Sequence, residues 1–360
     1  MKNLVSVIAA LLIIATACNS PKKSPVESVT PPIHTEKNAV YYWKTVFLLD
    51  SAERSFLNRH NVGRIYLRMF DVSVDPCASS VENKTVPNAT VKIDDSEYYE
   101  MGRSFSDLEF VPVVYITLDA LKEMTGEEGV LASNIVTRVR NMCQYNNLPG
   151  VQEIQLDCDW TTSTEKSFFN LCDSVRHCLA ELKLPWRLSS TIRLHQLSGK
   201  VPPVDNGVLM VYNTGSFNDP DAVNSIIDAS DVEPYLKHLS AYSIHLDVAY
   251  PTYSWQLLFR NRHFIGLLNG LNLSDTTRFT RKTENSYIAK KDTPHNDRII
   301  RAGDIIRSET SSFRDIEKVR EMIELRLSLI PHSNILYHLD SSNLSNYSDD
   351  EIRHIFSAPH

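Results

Sequence analysis

Glycine is scarce, 11 residues in a chain of 360, and no glycine-rich turn follows any β-rich run, which removes the phosphate-cradling loops of nucleotide-binding folds. Basic residues are outnumbered, 37 to 44, for a formal charge of −7. The chain therefore has no basic face for nucleic acid and no polybasic stretch for anionic lipid. Neither a CxxC pair nor an HExxH helix occurs, so no zinc ribbon or helix-borne metal site is encoded, and no metal or cofactor is expected. Beyond Cys18, the cysteines at 77, 143, 158, 172 and 178 are odd in number and dispersed. That pattern reads as buried thiols, with room for one bridge in an oxidising compartment, rather than a disulfide framework.

What is present is ordinary globular composition, 42% hydrophobic and 22% charged, which excludes a disordered or polytopic membrane chain. Residues 1–18 carry one lysine, an apolar run from Leu4 to Ile14, and the small residues Ala15, Thr16 and Ala17 before Cys18. The run is too short to cross a bilayer of ~30 Å, so the segment reads as a signal peptide. Small residues leading into a cysteine resemble the lipobox of bacterial lipoproteins. The resemblance implies diacylation of Cys18, attachment to the lipid bilayer, and, because Asn19 stands where an aspartate favours inner-membrane retention, an outer-membrane place in the cell envelope. An ordinary secretory signal cut at Ala17 is the alternative. Residues 19–40 are rich in proline, serine and lysine and read as a flexible tether. Roughly 320 residues remain to fold.

From Tyr41 onward, β-rich runs alternate with amphipathic stretches. The runs are 41–47, 64–70, 111–117, 153–159, 187–193, 208–213, 242–248 and 334–340, with helical patterns at 51–60, 118–145, 165–182, 221–239 and 313–329. Eight alternations over this length predict a single α/β domain, 41–360, folded as a (β/α)8 TIM-type barrel. The second and fifth connections carry no clean helical pattern. Between strands 7 and 8, residues 263–309 hold further short β-like runs and predict a β-rich insertion near the barrel mouth.

Alternate strand residues face opposite sides, so each run divides into an apolar column toward the helices and a second column toward the barrel axis. The inward columns are polar: Gln155, Asp157 and Asp159; Ser243, His245 and Asp247; His338 and Asp340 with Leu336; Thr191 and Arg193; Tyr66, Arg68 and Phe70. Unpaired carboxylates are costly to bury, so these acids either line a wet cleft or pair with Arg68 and Arg193 in an internal ion network. Asp157 and Asp159 sit two positions apart, about 6.6 Å between Cα atoms. Like charges at that spacing raise one pKa, giving a proton donor beside an ionised partner, the pair that glycosidic cleavage uses. Trp160, Tyr250, Tyr253 and Trp255 fall near strand ends, where rings can stack on sugar faces. Metal-dependent hydrolysis through His245, Asp247, His338 and Asp340 is a further option without motif support.

The segments VQEIQLDCDW, STIR and VLMVYNTG resemble a bacterial (β/α)8 lipoprotein family of unknown function and, more distantly, the family-18 glycoside hydrolases. In those hydrolases the fourth strand ends Asp-x-Asp-x-Glu and the sixth carries Met-x-Tyr-Asp. Asp157, Asp159, Met210 and Tyr212 match, whereas Thr161 replaces the catalytic glutamate and Asn213 the aspartate. The expected activity is carboxylate acid/base chemistry on a glycan, with Asp159 as acid, Asp157 as its partner and Asp247 as a stabiliser. Arg68, Trp160, Arg193, Tyr212, Asn213, His245, Tyr250, Trp255, His338 and Asp340 would contact the glycan. The alternative is a glycan-binding or structural envelope lipoprotein without catalysis.

Overall fold

The computed structural model describes residues 31–81, 84–296, 298–327 and 330–357. The leader, Cys18 and the tether up to residue 30 lie outside the described residues. Among the described residues no helix is long and apolar enough to cross a membrane.

Eight parallel strands close into a barrel: β1 Ala39–Tyr42, β2 Arg64–Val74, β3 Glu109–Ile116, β4 Glu153–Asp157, β5 Arg187–Arg193, β6 Asn206–Met210, β7 His245–Pro251 and β8 Asn334–Tyr337. β1 bonds to both β8 and β2, with Ala39 opposite Ile335 and Arg64, so the barrel has no open seam. Outside it run α1 Ser51–Arg59, α2 Glu128–Tyr145, α3 Glu165–Glu181, α4 Ala229–Leu236, α5 Phe313–Leu327 and α6 Asp349–Phe356. α3 illustrates why they lie there, since Phe168, Leu171, Cys172, Val175 and Leu179 form one buried stripe at helical spacing. α1 starts at a capping box between Asp50 and Glu53. The helix predicted over 118–145 is broken because Gly126 adopts φ +89°, separating Leu118–Glu123 from α2. Of the two irregular connections, the second holds a hairpin strand, Thr85–Asn88, antiparallel to β2, and then the short helix Asp95–Glu100, and the fifth is a 3₁₀ turn, Leu194–Ser198, after β5.

The insertion starts at Ser254, earlier than 263, because Ser254–Arg260 pairs on both sides, antiparallel to His263–Leu268 and to Ile305–Thr310. Phe279–Arg281 and Ser286–Ala289 complete five strands. Leu258, Leu268, Leu271, Phe279, Ile300 and Ile306 give this sheet its own small core.

Inside the barrel, side chains from alternate positions stack in layers. The middle layer holds Tyr41, Tyr66, Val111, Val208, Ala249 and Ile335, with Tyr41 and Tyr66 stacked at 4.7 Å. The Tyr41 hydroxyl donates to Gln155 Oε1 at 2.7 Å. Below them, at the N-terminal ends of the strands, lies a layer of charge. Arg187 donates to Glu153 Oε2 at 2.9 Å and Glu109 Oε1 at 3.1 Å, and Arg64 to Glu109 Oε2 at 3.1 Å. The last residues read as tether sit in this floor. Arg187 donates to the carbonyls of Pro32 and Ile33, each at 3.0 Å, and Arg64 to that of Thr35 at 2.9 Å. Lys37 reaches Glu109 at 3.2 Å, and His34 Nε2 lies 3.0 Å from Asp247 Oδ2. Although full burial works against ionisation, His34, Arg187 and Arg64 hold the Glu153 carboxyl down at about 2. Burial works against charge on His34, but the neighbouring Asp247 and Glu153 carboxylates push it up to about 9.

Removing one partner from such a network strands its counter-charges in a dry interior. Arg187→Met is therefore expected to lower the unfolding free energy by roughly 3–5 kcal/mol. Arg59→Met, which breaks the exposed pair with Asp349, should leave it nearly unchanged, because solvent screens such a pair. Denaturant titration of both variants checks the contrast; equal losses would contradict it.

Candidate functional site

At the C-terminal ends of the strands the chain brings five of the expected residues together. β4 ends on Asp157, Asp159 follows two residues later, β5 ends on Arg193, and Tyr212 and Asn213 follow β6. One guanidinium joins them. Arg193 donates from Nη2 to Asp157 Oδ1 at 3.0 Å, from Nη1 to the Tyr212 hydroxyl at 3.1 Å, and from Nε to Asp159 Oδ1. Thr191, one inward position below Arg193, donates to Asp157 Oδ1 at 2.6 Å. Asp157 is 2% exposed, whereas the Asp159 side chain is 45% exposed. Burial pushes the Asp157 carboxyl above its ordinary range; Arg193 opposes this, and the Asp159 charge adds to it. Burial thus favours the protonated form at the inner aspartate.

Aromatic rings surround this group. Tyr212 stacks on Tyr337 at 4.5 Å, and Tyr253 meets both edge-on at 6.1 Å. The Tyr253 hydroxyl donates to Asn213 Oδ1 at 2.8 Å, and Asn213 takes the left-handed φ of 53° that turns the chain away from β6. Trp255 touches Tyr253 at 5.6 Å and donates from Nε1 to Glu309 of the insertion at 2.7 Å. Tyr115 on β3 faces the same acids; burial and then Asp159 and Asp157 push its hydroxyl up to about 12. A cavity of about 250 Å³ opens among Asp159, Arg193, His195, Tyr212, Asn213, Thr214 and Tyr235, with Leu194 and Met210.

The other expected residues lie elsewhere. Arg68 turns to Asp71, donating from Nε at 2.8 Å, with its guanidinium over the Trp43 ring at 5.1 Å. A β-bulge between Arg68 and Phe70 takes Phe70 out of the inward column and into the outer core. Trp160 is in that outer core too. β4 has ended by then, and the ring packs on Phe168 and Phe169 of α3 at 5.9 and 5.5 Å. Tyr250 lies within β7, not beyond it, and faces the helices. His245 and Asp247 are inward but belong to the floor, because β7 begins at His245 and continues to Pro251. The eighth column is inverted: Ile335 and Tyr337 face the axis and Leu336 the helices. Asp340 instead caps the helix Ser341–Leu344 and pairs with Lys44 at 3.2 Å, and half-buried His338 stands beside Tyr337. The four-residue metal option is therefore split between the two ends of the barrel.

The sequence columns passed over Tyr337, Tyr115, His195 and Tyr235. Alternation alone contained the first two, as continuations of Ile335 and of Val111–Val113; His195 and Tyr235 lie on a 3₁₀ turn and α4, where strand alternation says nothing. Thr161, where the family-18 pattern has its glutamate, is exposed. Its N–H donates to Thr164 Oγ1 at 2.9 Å in the turn entering α3.

No protein-family model and no curated protein matches the chain. Solved structures share its architecture. The spore cortex-lytic enzyme SleL of Bacillus cereus superposes with a TM-score of 0.52 at 11% identity, over 91% of this chain and 76% of that one. A family-18 chitinase of Cycas revoluta, solved with (GlcNAc)4, gives 0.51 at 12% over 89% and 98%. A family-18 N-acetylglucosaminidase of Paenibacillus barengoltzii gives 0.50 at 11% over 89% and 100%. The protein is thus a TIM-type barrel built like the family-18 glycoside hydrolases; at these identities the likeness is one of fold.

Because the folded pKa of Asp157 exceeds its unfolded value, about 3.9, its contribution is fully present below that pH and is lost as pH rises through the folded pKa. Asp157→Asn keeps the shape without the charge. Its stability relative to wild type should therefore rise as pH climbs through and above the carboxylate range, measured by denaturation at a series of pH values. A difference independent of pH would contradict the assignment.

Proposed function

We propose that this protein is a lipid-anchored envelope lipoprotein whose barrel mouth binds a glycan without cleaving it. The observation that carries the reading is Arg193, which holds both acids at once. General acid catalysis needs a protonated carboxyl within reach of the leaving oxygen. Burial favours a proton on Asp157, but that carboxyl is sealed from the cavity, and Asp159, the acid lining it, is paired to a cation. The glutamate position is a threonine engaged in a turn. What the cavity retains is recognition chemistry: hydroxyls and an amide on Tyr212, Thr214 and Asn213, a guanidinium, and rings beside them. Its volume of about 250 Å³ is below the roughly 300–1,000 Å³ of drug-sized sites, which suits one sugar ring or the end of a chain. The bound sugar of the Cycas chitinase makes N-acetylglucosamine oligosaccharides the first glycans to try.

One observation favours the second reading, hydrolysis by Asp159: that carboxylate is the accessible member of the pair. Calorimetric titration with a panel of glycans, beside assay of new reducing ends, separates the two. The expected result is saturable binding without product, weakened at least about tenfold by Tyr212→Ala and by Asn213→Ala. Product formation abolished by Asp159→Asn would establish the second reading instead, and no binding to any glycan would remove both.

The anchor rests on the residues before Cys18 and carries its own test. Cys18→Ser should move the protein from the membrane fraction to the soluble fraction of cells; retention in the membrane would overturn it.

A further inference from the structure

The floor of the barrel holds a second cluster that the mouth does not use. His34, from the segment before β1, and His245 and Asp247, from β7, place one ligand atom each within 4.8 Å of one another. The two imidazole rings are 4.8 Å apart. His34 Nε2 lies 3.0 Å from Asp247 Oδ2, and His245 Nε2 lies 3.1 Å from Asp247 Oδ1. Donors bound to one tetrahedral zinc at about 2.0–2.1 Å stand roughly 3.3 Å apart, so the two Asp247 separations already fit, and the widest, up to 4.8 Å, has to close by about 1.5 Å.

The polar atoms here are incompletely satisfied. Asp247 is fully buried, yet its Oδ2 and both ring nitrogens of His34 lack an aligned hydrogen bond, despite the close approach of His34. Asn206, across the strand pair from His245, likewise buries its Oδ1 without a partner. Ser333 N–H fixes the other Asp247 oxygen at 2.7 Å. Arg64 Nη1 is 3.8 Å from Asp247 Oδ2, while Glu109 balances its charge from 3.1 Å. Two imidazoles and a carboxylate form a borderline donor set suited to zinc, leaving one coordination position for water.

We infer that His34, His245 and Asp247 form a zinc site that staples the segment before β1 to the barrel floor. Zinc would bind the His34 imidazole to His245 and Asp247 of β7. The site lies at the end of the barrel opposite Asp157, Arg193 and Tyr212, apart from the cavity.

The test uses the full chain, purified without a histidine tag, stripped with chelator and titrated with Zn²⁺. Metal analysis should find one zinc per chain, and the melting temperature should rise with zinc and fall with chelator. His34→Ala and, separately, His245→Ala should each weaken zinc binding at least about tenfold and abolish the melting shift. Co²⁺ bound to the wild type should show the intense visible bands of a tetrahedral ion, a readout that needs no variant to fold. No stoichiometric zinc, a melting temperature indifferent to the metal, binding unchanged in both variants, or an octahedral cobalt spectrum would each overturn the assignment.

Discussion

A closed barrel directs every second residue of eight strands into a space from which water is largely excluded, and a charge placed there needs a partner within reach. This chain places charge at both ends of that space and resolves it differently at each. At the floor, Arg64, Arg187 and Lys37 face Glu109, Glu153 and Asp247, with His34 joining the carboxylates. At the mouth one cation, Arg193, serves two acids, and one of those acids reaches solvent. The middle layer of tyrosines and aliphatic side chains separates the two groups.

The floor makes the segment before β1 part of the folded domain. Its carbonyls satisfy Arg187 and Arg64, and its His34 and Lys37 complete the ion network. The chain leading from the proposed anchor therefore enters at the end of the barrel opposite the cavity, an arrangement that would leave the mouth free to meet a large glycan. The aromatic surround of that mouth depends partly on the insertion, since Tyr253 leads into its first strand and Trp255 is fixed by Glu309 on its last.

Much of this was legible in the residues, and the misreadings share physical causes. All eight strands show in the runs because each alternates or is wholly apolar; Asp157, Asp159 and Arg193 were placed together by their strand ends, and Tyr212 and Asn213 by the resemblance of the sixth strand to the family-18 pattern. Alternation does not reveal where a strand stops. β7 starts three residues later than expected and runs on through Ala249 and Tyr250, which pair with β8, so His245 and Asp247 were assigned to the wrong end of the barrel. It also fails at a bulge, as at Phe70, and past a strand end, as at Trp160. In β8 both columns begin apolar, and the choice of His338 as inward followed polarity where the axis in fact takes Ile335 and Tyr337. The partnership of His34 with residues more than two hundred positions away has no sequence signature at all.

The central claim is that Arg193 remains the shared partner of Asp157 and Asp159 when the mouth is occupied. A crystal structure of the wild-type protein with an N-acetylglucosamine oligosaccharide, or with whichever glycan proves to bind, examines it most directly. The expected result is an intact ligand against Tyr212, Asn213 and Thr214 with Arg193 still bonded to both carboxylates. Cleaved ligand, or Arg193 swung aside with Asp159 on the glycosidic oxygen, would contradict it.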